Sequence, residues 1–350
     1  MKINIKSVSF VLSFLLITSN LFLSAQLKDF AKKNAVSVKE YVQTMHTYQF
    51  GEPVPDGIKM YEAKFDGGNL TEYKLYEEDG DYLGKFEYEY DASGNLTKEI
   101  EFDYDDDIEL IKRYRFDLDN NLVEESEHEA NESIINKIVY EYENGNMTKK
   151  TIYDDVGDIT SREIYYYNEI NKIDKMIGYD YDGQPNKKID YKYDASGNLT
   201  EKLTYDEYGE VEQKDIMEYD DARNILSTLI YDEYGDLLSK ISKKYNGNNL
   251  VEETKNDGDG DIVYLKKYEY DSDNKVTSEK EFNADGELIL GSEFSYTEKG
   301  KTDKEIIINN YDDIYQEFRY KYDKPGNLVE VVEFDKLREP IKSYMIKYEY

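Results

Sequence analysis

From residue 61 onward, apolar and polar positions alternate in short runs, and each run is broken by a cluster of Asp, Asn, Gly and Ser. Alternation with a period of two marks β-strands, and such clusters mark tight turns. The pattern is clearest where Tyr88, Glu89 and Tyr90 precede Asp91-Ala92-Ser93-Gly94-Asn95-Leu96-Thr97. It returns nearly unchanged over Tyr191–Thr200, and again over Tyr320–Leu328 with Lys324-Pro325-Gly326-Asn327 in the turn. The second aromatic of each copy falls at Phe65, Tyr90, Phe116, Tyr142, Tyr167, Tyr193, Tyr219, Tyr245, Tyr270, Tyr296 and Tyr322, a spacing of 25 or 26 residues throughout. A fixed period of this length is the signature of a repeat array.

Each copy has room for two strands and two turns. In Asp91-Ala92-Ser93-Gly94, Asp stands where a side chain bonds back to the backbone, and Gly stands where φ is positive, which predicts a three-residue hairpin loop closed by a glycine bulge. Asn120, Asn171 and Asn274 fill the glycine slot in other copies, and Asn tolerates that conformation best after Gly. Arg223 is the misfit in that slot. Where the period shortens to 25, the turn reads Asp66-Gly67, Asn144-Gly145 or Asn246-Gly247, which suits a two-residue hairpin turn that needs no bulge. The second turn is typified by Asp206-Glu207-Tyr208-Gly209 and Asp232-Glu233-Tyr234-Gly235.

Counting by parity, Tyr88, Tyr90, Leu96, Ile100, Phe102, Ile108, Leu110, Tyr114 and Phe116 should share one apolar face. Thr97, Glu99, Glu101, Glu109, Arg113 and Arg115 should share a charged one, with Ile111 the exception. The fold class expected is all-β, an antiparallel β-hairpin repeat array of about 22 strands forming a long twisted or spiral sheet. One repeat buries too little apolar surface to offset the entropy of ordering it, so stability must accumulate through stacked neighbours.

Residues 1–25 differ in kind. Lys2 and Lys6 precede an apolar run from Phe10 to Ile17 that continues patchily to Leu23, and Ser24-Ala25-Gln26 suits cleavage after Ala25, so the segment reads as a secretory signal peptide. The competing reading is an uncleaved anchor, but Thr18, Ser19 and Asn20 interrupt a run already short for a span. Residues 26–60 read as a lead and a degenerate first repeat. Within them Ser37-Val38-Lys39-Glu40 resembles a helix capping box, whereas Val36, Val38, Val42, Thr44, Thr47, Tyr48 and Phe50 favour a strand. Residues 61–350 are continuous tandem repeat, and export implies the periplasm, the cell surface or the extracellular space.

Charge narrows the partners. The chain carries 77 acidic against 44 basic residues, a net charge of −33, which disfavours nucleic acid and anionic membrane and favours cations, basic proteins or neutral glycans. It has no cysteine, so disulfides and thiolate metal sites are excluded. Its 37 tyrosines at regular intervals argue against the disorder that such a charge would otherwise suggest.

No catalytic, cofactor-binding or metal residue is assigned. His46 and His128 lack a ligand spacing and read as surface or strand histidines. Carboxylate pairs are everywhere, and all are expected in turns or on the solvated face, where none becomes a tuned acid. Asp257-Gly258-Asp259-Gly260-Asp261 resembles a calcium loop, but Ile262 and Tyr268 stand where its Gly and Glu belong, so it reads as an ordinary second turn, with weak calcium binding along the acidic turns left open. The glycosylation acceptor pattern at Asn69, Asn95, Asn146 and Asn198 arises from the repeat itself.

The motif Tyr-x-Tyr-Asp-x-x-Gly-Asn-Leu-Thr, with its Tyr-Asp-x-x-Gly-x-Leu follower, resembles the YD repeat of the bacterial Rhs and wall-associated protein families. The likeness covers residues 61–350 and is tightest at Tyr88, Tyr191 and Tyr320. It implies a β shell of the kind that can enclose a C-terminal toxin. Two departures set the chain apart: no toxin domain is expected after the repeats, and no Asp-Pro pair marks a self-cleaving junction. The expected function is therefore that of an exported, non-enzymatic binding or structural module whose partner is a cell-surface glycan or protein. The alternative is a shell or accessory component of a toxin system.

Overall fold

The structure, a computed structural model, describes residues 39–311 and 314–349. The signal-peptide reading of residues 1–25 and most of the lead lie outside these. Among the described residues there is no helix, and 25 strands join one antiparallel sheet. The segment that could have been a capped helix is, from Glu40, the strand Glu40–Gln49. The chain divides into two compact units. One contains Ile138–Glu293 and Ile308–Ile314; the other contains residues 39–137, Phe294–Ile307 and residues 315–349.

In the second of these units the Glu40–Gln49 strand pairs on one side with Ile58–Asp66 and on the other with Pro340–Glu349, for example through Tyr41↔Ala63 and Tyr41↔Tyr348. The two ends of the strand order are thus hydrogen-bonded to one another. This corrects the expectation of a long open twisted or spiral sheet: the sheet is closed by pairing. The physical reason is that an unpaired edge strand leaves a row of backbone donors and acceptors unsatisfied, and joining the first strand to the last removes both edges.

The turns form as their residues dictate. Gly94 N–H donates to the Asp91 carbonyl and Asp91 N–H to the Asn95 carbonyl, at 3.0 and 2.9 Å, and Gly94 has φ +82°. Asn120, Asn171, Asn274 and Arg223 all adopt positive φ in the same slot, and Asp106, Glu132 and Arg338 do so in the second turn. Two of the short turns sit one residue later than their sequence suggested. Asp66 pairs with Asn69, and Asn246 with Asn249, so the loops are Gly67-Gly68 and Gly247-Asn248.

The parity expectation fails, and the pairings say why. Glu89 faces Lys98 while Tyr90 faces Leu96, so Thr97 is an unopposed bulge residue. Beyond it the strand is turned over. Tyr88 faces Glu99 and Phe86 faces Glu101, whereas Ile100 faces Glu87. Ile111 pairs with Ile100 and His128 and is only 2% exposed, so it belongs with Ile100 and is no exception. The same displacement recurs at Thr160, Thr200, Glu212, Leu226, Leu238 and Val263, each the second residue of its strand. A bulge moves every later side chain to the opposite face. Both faces are therefore mixed in character, where one apolar and one charged face had been expected.

Buried clusters lie within the unit that holds the first and last strands. Tyr41, Ala63, Phe65, Leu70, Tyr73, Leu75, Tyr88 and Ile346 pack together, with Tyr61 stacked on Tyr73 at 5.8 Å and 11°. A second cluster joins Met45, Met60, Phe318, Val331 and Tyr344. In the other unit Met176, Ile189 and Thr204 form a buried cross-strand row.

Candidate functional site

Every residue of the repeat motif has a structural task, which decides what is left over for function. Asp91 Oδ1 accepts N–H bonds from Ser93 and Asn95, and Asn95 Nδ2 donates to Asp91 Oδ2. Asn95 also donates to Asn120 Oδ1, 25 residues on, and Asn249 does the same to Asn274. Thr97, Thr148 and Thr200 each donate a hydroxyl across the hairpin, to the carbonyls of Glu89, Glu141 and Lys192. Anchor tyrosines reach back 20 residues, as Tyr90 does to the Leu70 carbonyl, Tyr193 to Ile173, Tyr219 to Leu199 and Tyr348 to Leu328. Burial pushes the Tyr90 phenol up to about 12. The acceptor-like Asn-x-Thr pattern is thus the chemistry of a hairpin closed by a bulge.

The sequence-derived candidates resolve as follows. His46 and His128 do lie in strands, but both are buried, which corrects their placement at the surface. They share one arrangement. His46 Nδ1 lies 2.8 Å from the Val54 carbonyl and its Nε2 2.8 Å from Thr44 Oγ1; His128 makes the matching contacts with the Glu132 carbonyl and Ser126 Oγ. A carbonyl only accepts, so the proton sits on Nδ1 and both nitrogens are occupied. Asp257 Oδ1 accepts N–H bonds from Asp259 and Asp261, as the capping aspartate does in ordinary turns such as 103–107.

Three carboxylates contradict the expectation that all such groups sit in turns or on a solvated face. Glu305, Glu317 and Glu333 are buried, Glu305 to 4% exposure. Tyr320 donates to Glu305 Oε2 at 2.7 Å, while Oε1 has no partner. Glu317 is held by Arg319 and Glu333 by Gln316. Burial raises both the Glu305 and Glu333 carboxyls above the ordinary range. Parity counting missed Glu333 because it follows the bulge at Val329, which sets it opposite the buried Phe318.

The feature best shaped for contact lies in the unit containing Ile138–Glu293, at the second-turn ends of its strands. Tyr181, Tyr208 and Tyr234 stand at successive hairpin tips with 73%, 81% and 82% of their surface exposed, and Val156 is exposed at the tip before them. They protrude because they occupy loop positions whose backbone is fixed by a capping Asp: Asp206 and Asp232 each accept two turn N–H bonds, including those of Tyr208 and Tyr234. Beside the Tyr234 tip is a cleft of about 460 Å³, lined by Leu203, Val211, Lys214, Ile216, Tyr231, Asp232, Glu233, Tyr234 and Gly235. Register places Leu203, Lys214 and Tyr231 on one face, directly opposite one another, beneath that tip. Glu207 and Glu233, hydrogen-bonded to the neighbouring tyrosines, hold the Tyr208 and Tyr234 phenols above their usual value. For Tyr208 and Tyr234 the sequence did carry the signal: a tyrosine directly before a turn glycine lies in the loop, outside the paired strands.

No family model matches the chain, and no curated protein matches it. Among solved structures, "TcdB2-TccC3 without hypervariable C-terminal region" is 12% identical with a TM-score of 0.30, over 87% of this chain and 19% of that one. The related structure "TcdB2-TccC3-TEV" matches with a TM-score of 0.29 at the same identity and coverage. A porin-like protein from Bacteroides uniformis is 11% identical with a TM-score of 0.24, over 89% of this chain and 98% of that one. The chain therefore spans about a fifth of the length of the TcdB2-TccC3 structures.

Proposed function

We propose that this chain is an exported, non-enzymatic repeat protein of the YD type that serves as a binding module at the cell envelope or outside the cell. The contact surface is the row of second-turn tips in the unit containing Ile138–Glu293. One observation carries this reading: Tyr181, Tyr208 and Tyr234 present large rings to solvent from rigid, capped turns, next to a cleft floored by Leu203, Val211 and Tyr231. Tyrosine offers a large contact area with little side-chain entropy to lose, and a rigid scaffold lowers the cost of binding further. Export rests on Lys2, Lys6 and the apolar run that follows them.

The test has two parts. N-terminal sequencing of the protein recovered from its native host should begin at Gln26. A glycan array together with capture from solubilised envelope should yield a retained ligand whose retention is lost in Tyr208→Ala and Tyr234→Ala. Turnover of a substrate without any retained ligand would overturn the binding reading in favour of an enzyme.

A further inference from the structure

The two ends of the strands in the unit containing Ile138–Glu293 differ in charge. Its second-turn tips, residues 154–158, 180–184, 206–210, 232–236, 257–261 and 283–287, carry 16 carboxylates or their acids and no lysine or arginine. The first-turn tips, residues 143–146, 168–172, 194–198, 220–224, 246–249 and 271–275, carry seven acidic and three basic residues. Successive hairpins of a meander lie about 10 Å apart, roughly one Debye length at physiological salt, so the fields of neighbouring tips add. The tyrosines and the cleft sit inside this negative field. Lys214 is the one cation lining the cleft, and it is already engaged by Glu201 at 3.4 Å.

An aromatic face ringed by carboxylates is selective. A lysine or arginine side chain gains both from the ring quadrupole and from the field, whereas a neutral sugar gains only from the ring. The sheet makes this contact with its own residues: Lys188 Nζ lies 4.3 Å from the centre of the Tyr205 ring, and Lys175 Nζ 4.9 Å from that of Tyr166. The cleft floor of Leu203, Val211 and Ile216 adds room for one apolar side chain between the cations.

We infer that this rim and cleft take a basic protein segment, with lysine and arginine side chains over Tyr208 and Tyr234 and an apolar side chain in the cleft between them. The inference rests on the binding reading above and selects protein over glycan within it. The segment lies across several tips, so its affinity depends on salt and on the tyrosines together.

The experiment uses the full mature chain and three probes: a labelled peptide of lysines and arginines around one central leucine, the same peptide with glutamine for every cation, and a linear neutral maltodextrin. Binding is followed by fluorescence anisotropy for the peptides and by calorimetry for the sugar. The cationic peptide should bind, weakening about tenfold or more between about 50 and about 300 mM NaCl. Tyr208→Ala and Tyr234→Ala should each weaken it by about tenfold. Glu207→Gln with Glu233→Gln should flatten the salt dependence while leaving the turn-capping Asp206 and Asp232 in place.

Binding of the glutamine peptide or the maltodextrin as tightly as the cationic peptide would overturn the inference while sparing the binding reading. Cationic binding that is indifferent to both tyrosine substitutions would reduce the effect to bulk charge and overturn it as well. Failure of all three probes would count against the site itself. Circular dichroism of each variant confirms that the exposed tips were changed without unfolding the sheet.

Discussion

Arg223 holds φ +68° in a slot that Gly or Asn fills elsewhere, with its N–H bonded to the Asp220 carbonyl as in the other copies. Left-handed backbone is strained for a branched-out side chain and free for glycine. Arg223→Gly should therefore raise stability by about 0.5–1 kcal/mol, read from the midpoint of denaturant unfolding. Glu305 represents the opposite kind of residue, one whose cost lies in its charge. A carboxyl raised by burial holds its proton more tightly folded than unfolded, so it favours folding at low pH and opposes it as the pH rises above the ordinary glutamate value of 4.5. Glu305→Gln keeps a donor or acceptor for Tyr320 and removes the charge. It should stabilise at pH 7 and flatten the fall in stability above pH 4.5, measured as unfolding midpoints across pH. The capping aspartates Asp91, Asp194 and Asp220 work in the reverse sense. Hydrogen bonds from Asn95, Asn198 and Asn224 hold them below the usual range, so their contribution is present at neutral pH and is lost in acid.

At the scale of the element, the hairpin is a strand, a capped turn and a bulge, and its tie to the preceding copy is a phenol. The hydroxyl of Tyr193 reaches the Ile173 carbonyl at 2.8 Å, and Tyr167, Tyr270 and Tyr322 repeat the contact with Met147, Leu250 and Thr302. These carbonyls belong to the first or second residues of their strands, and those of Ile173 and Leu250 lie just before a bulge, where the regular ladder is displaced. Tyr193→Phe removes the donor and leaves that carbonyl to find water, at a cost of about 1 kcal/mol. Phe116 holds the same anchor position without a hydroxyl, and 20 residues back stands Leu96. Phe116→Tyr should supply the missing bond and gain about 0.5–1 kcal/mol. Chemical denaturation of both variants checks the pair, and a change of the same sign in each would break the assignment.

At the scale of the whole molecule, the Glu40–Gln49 strand is the joint on which closure depends. It pairs with Ile58–Asp66 and with Pro340–Glu349, and its Tyr41 and Met45 belong to the two buried clusters of that unit. Removing residues 40–49 would expose two strand edges and open both clusters. The shortened chain should associate through those edges, seen as a concentration-dependent shift to larger species in size-exclusion chromatography with light scattering. A monomer of unchanged stability would show that the pairing adds nothing. The acidic second-turn rim is a property of the same scale, because single turns with two or three carboxylates become a field only when they are aligned.

What the residues determined alone was local, and two of the short turns, at Gly67-Gly68 and Gly247-Asn248, escaped even that by one residue. Period-two alternation gave strands, Asp and Gly or Asn at fixed offsets gave hairpin tips, and even the Arg223 slot was readable, because backbone conformation follows from the few residues that adopt it. The side of the sheet on which Glu99, Ile100 and Ile111 fall was not readable: the glycine bulge of the turn follows from Gly94, but the second, at Thr97, reverses every later position and shows itself only in the register of two paired strands. Nor could alternation show that Glu305 is buried, that a cleft opens beside the Tyr234 tip, or that Tyr41 lies between Ala63 and Tyr348. The first two depend on how neighbouring strands pack, and the pairing of Tyr41 with Tyr348, hundreds of residues on, is decided by tertiary closure.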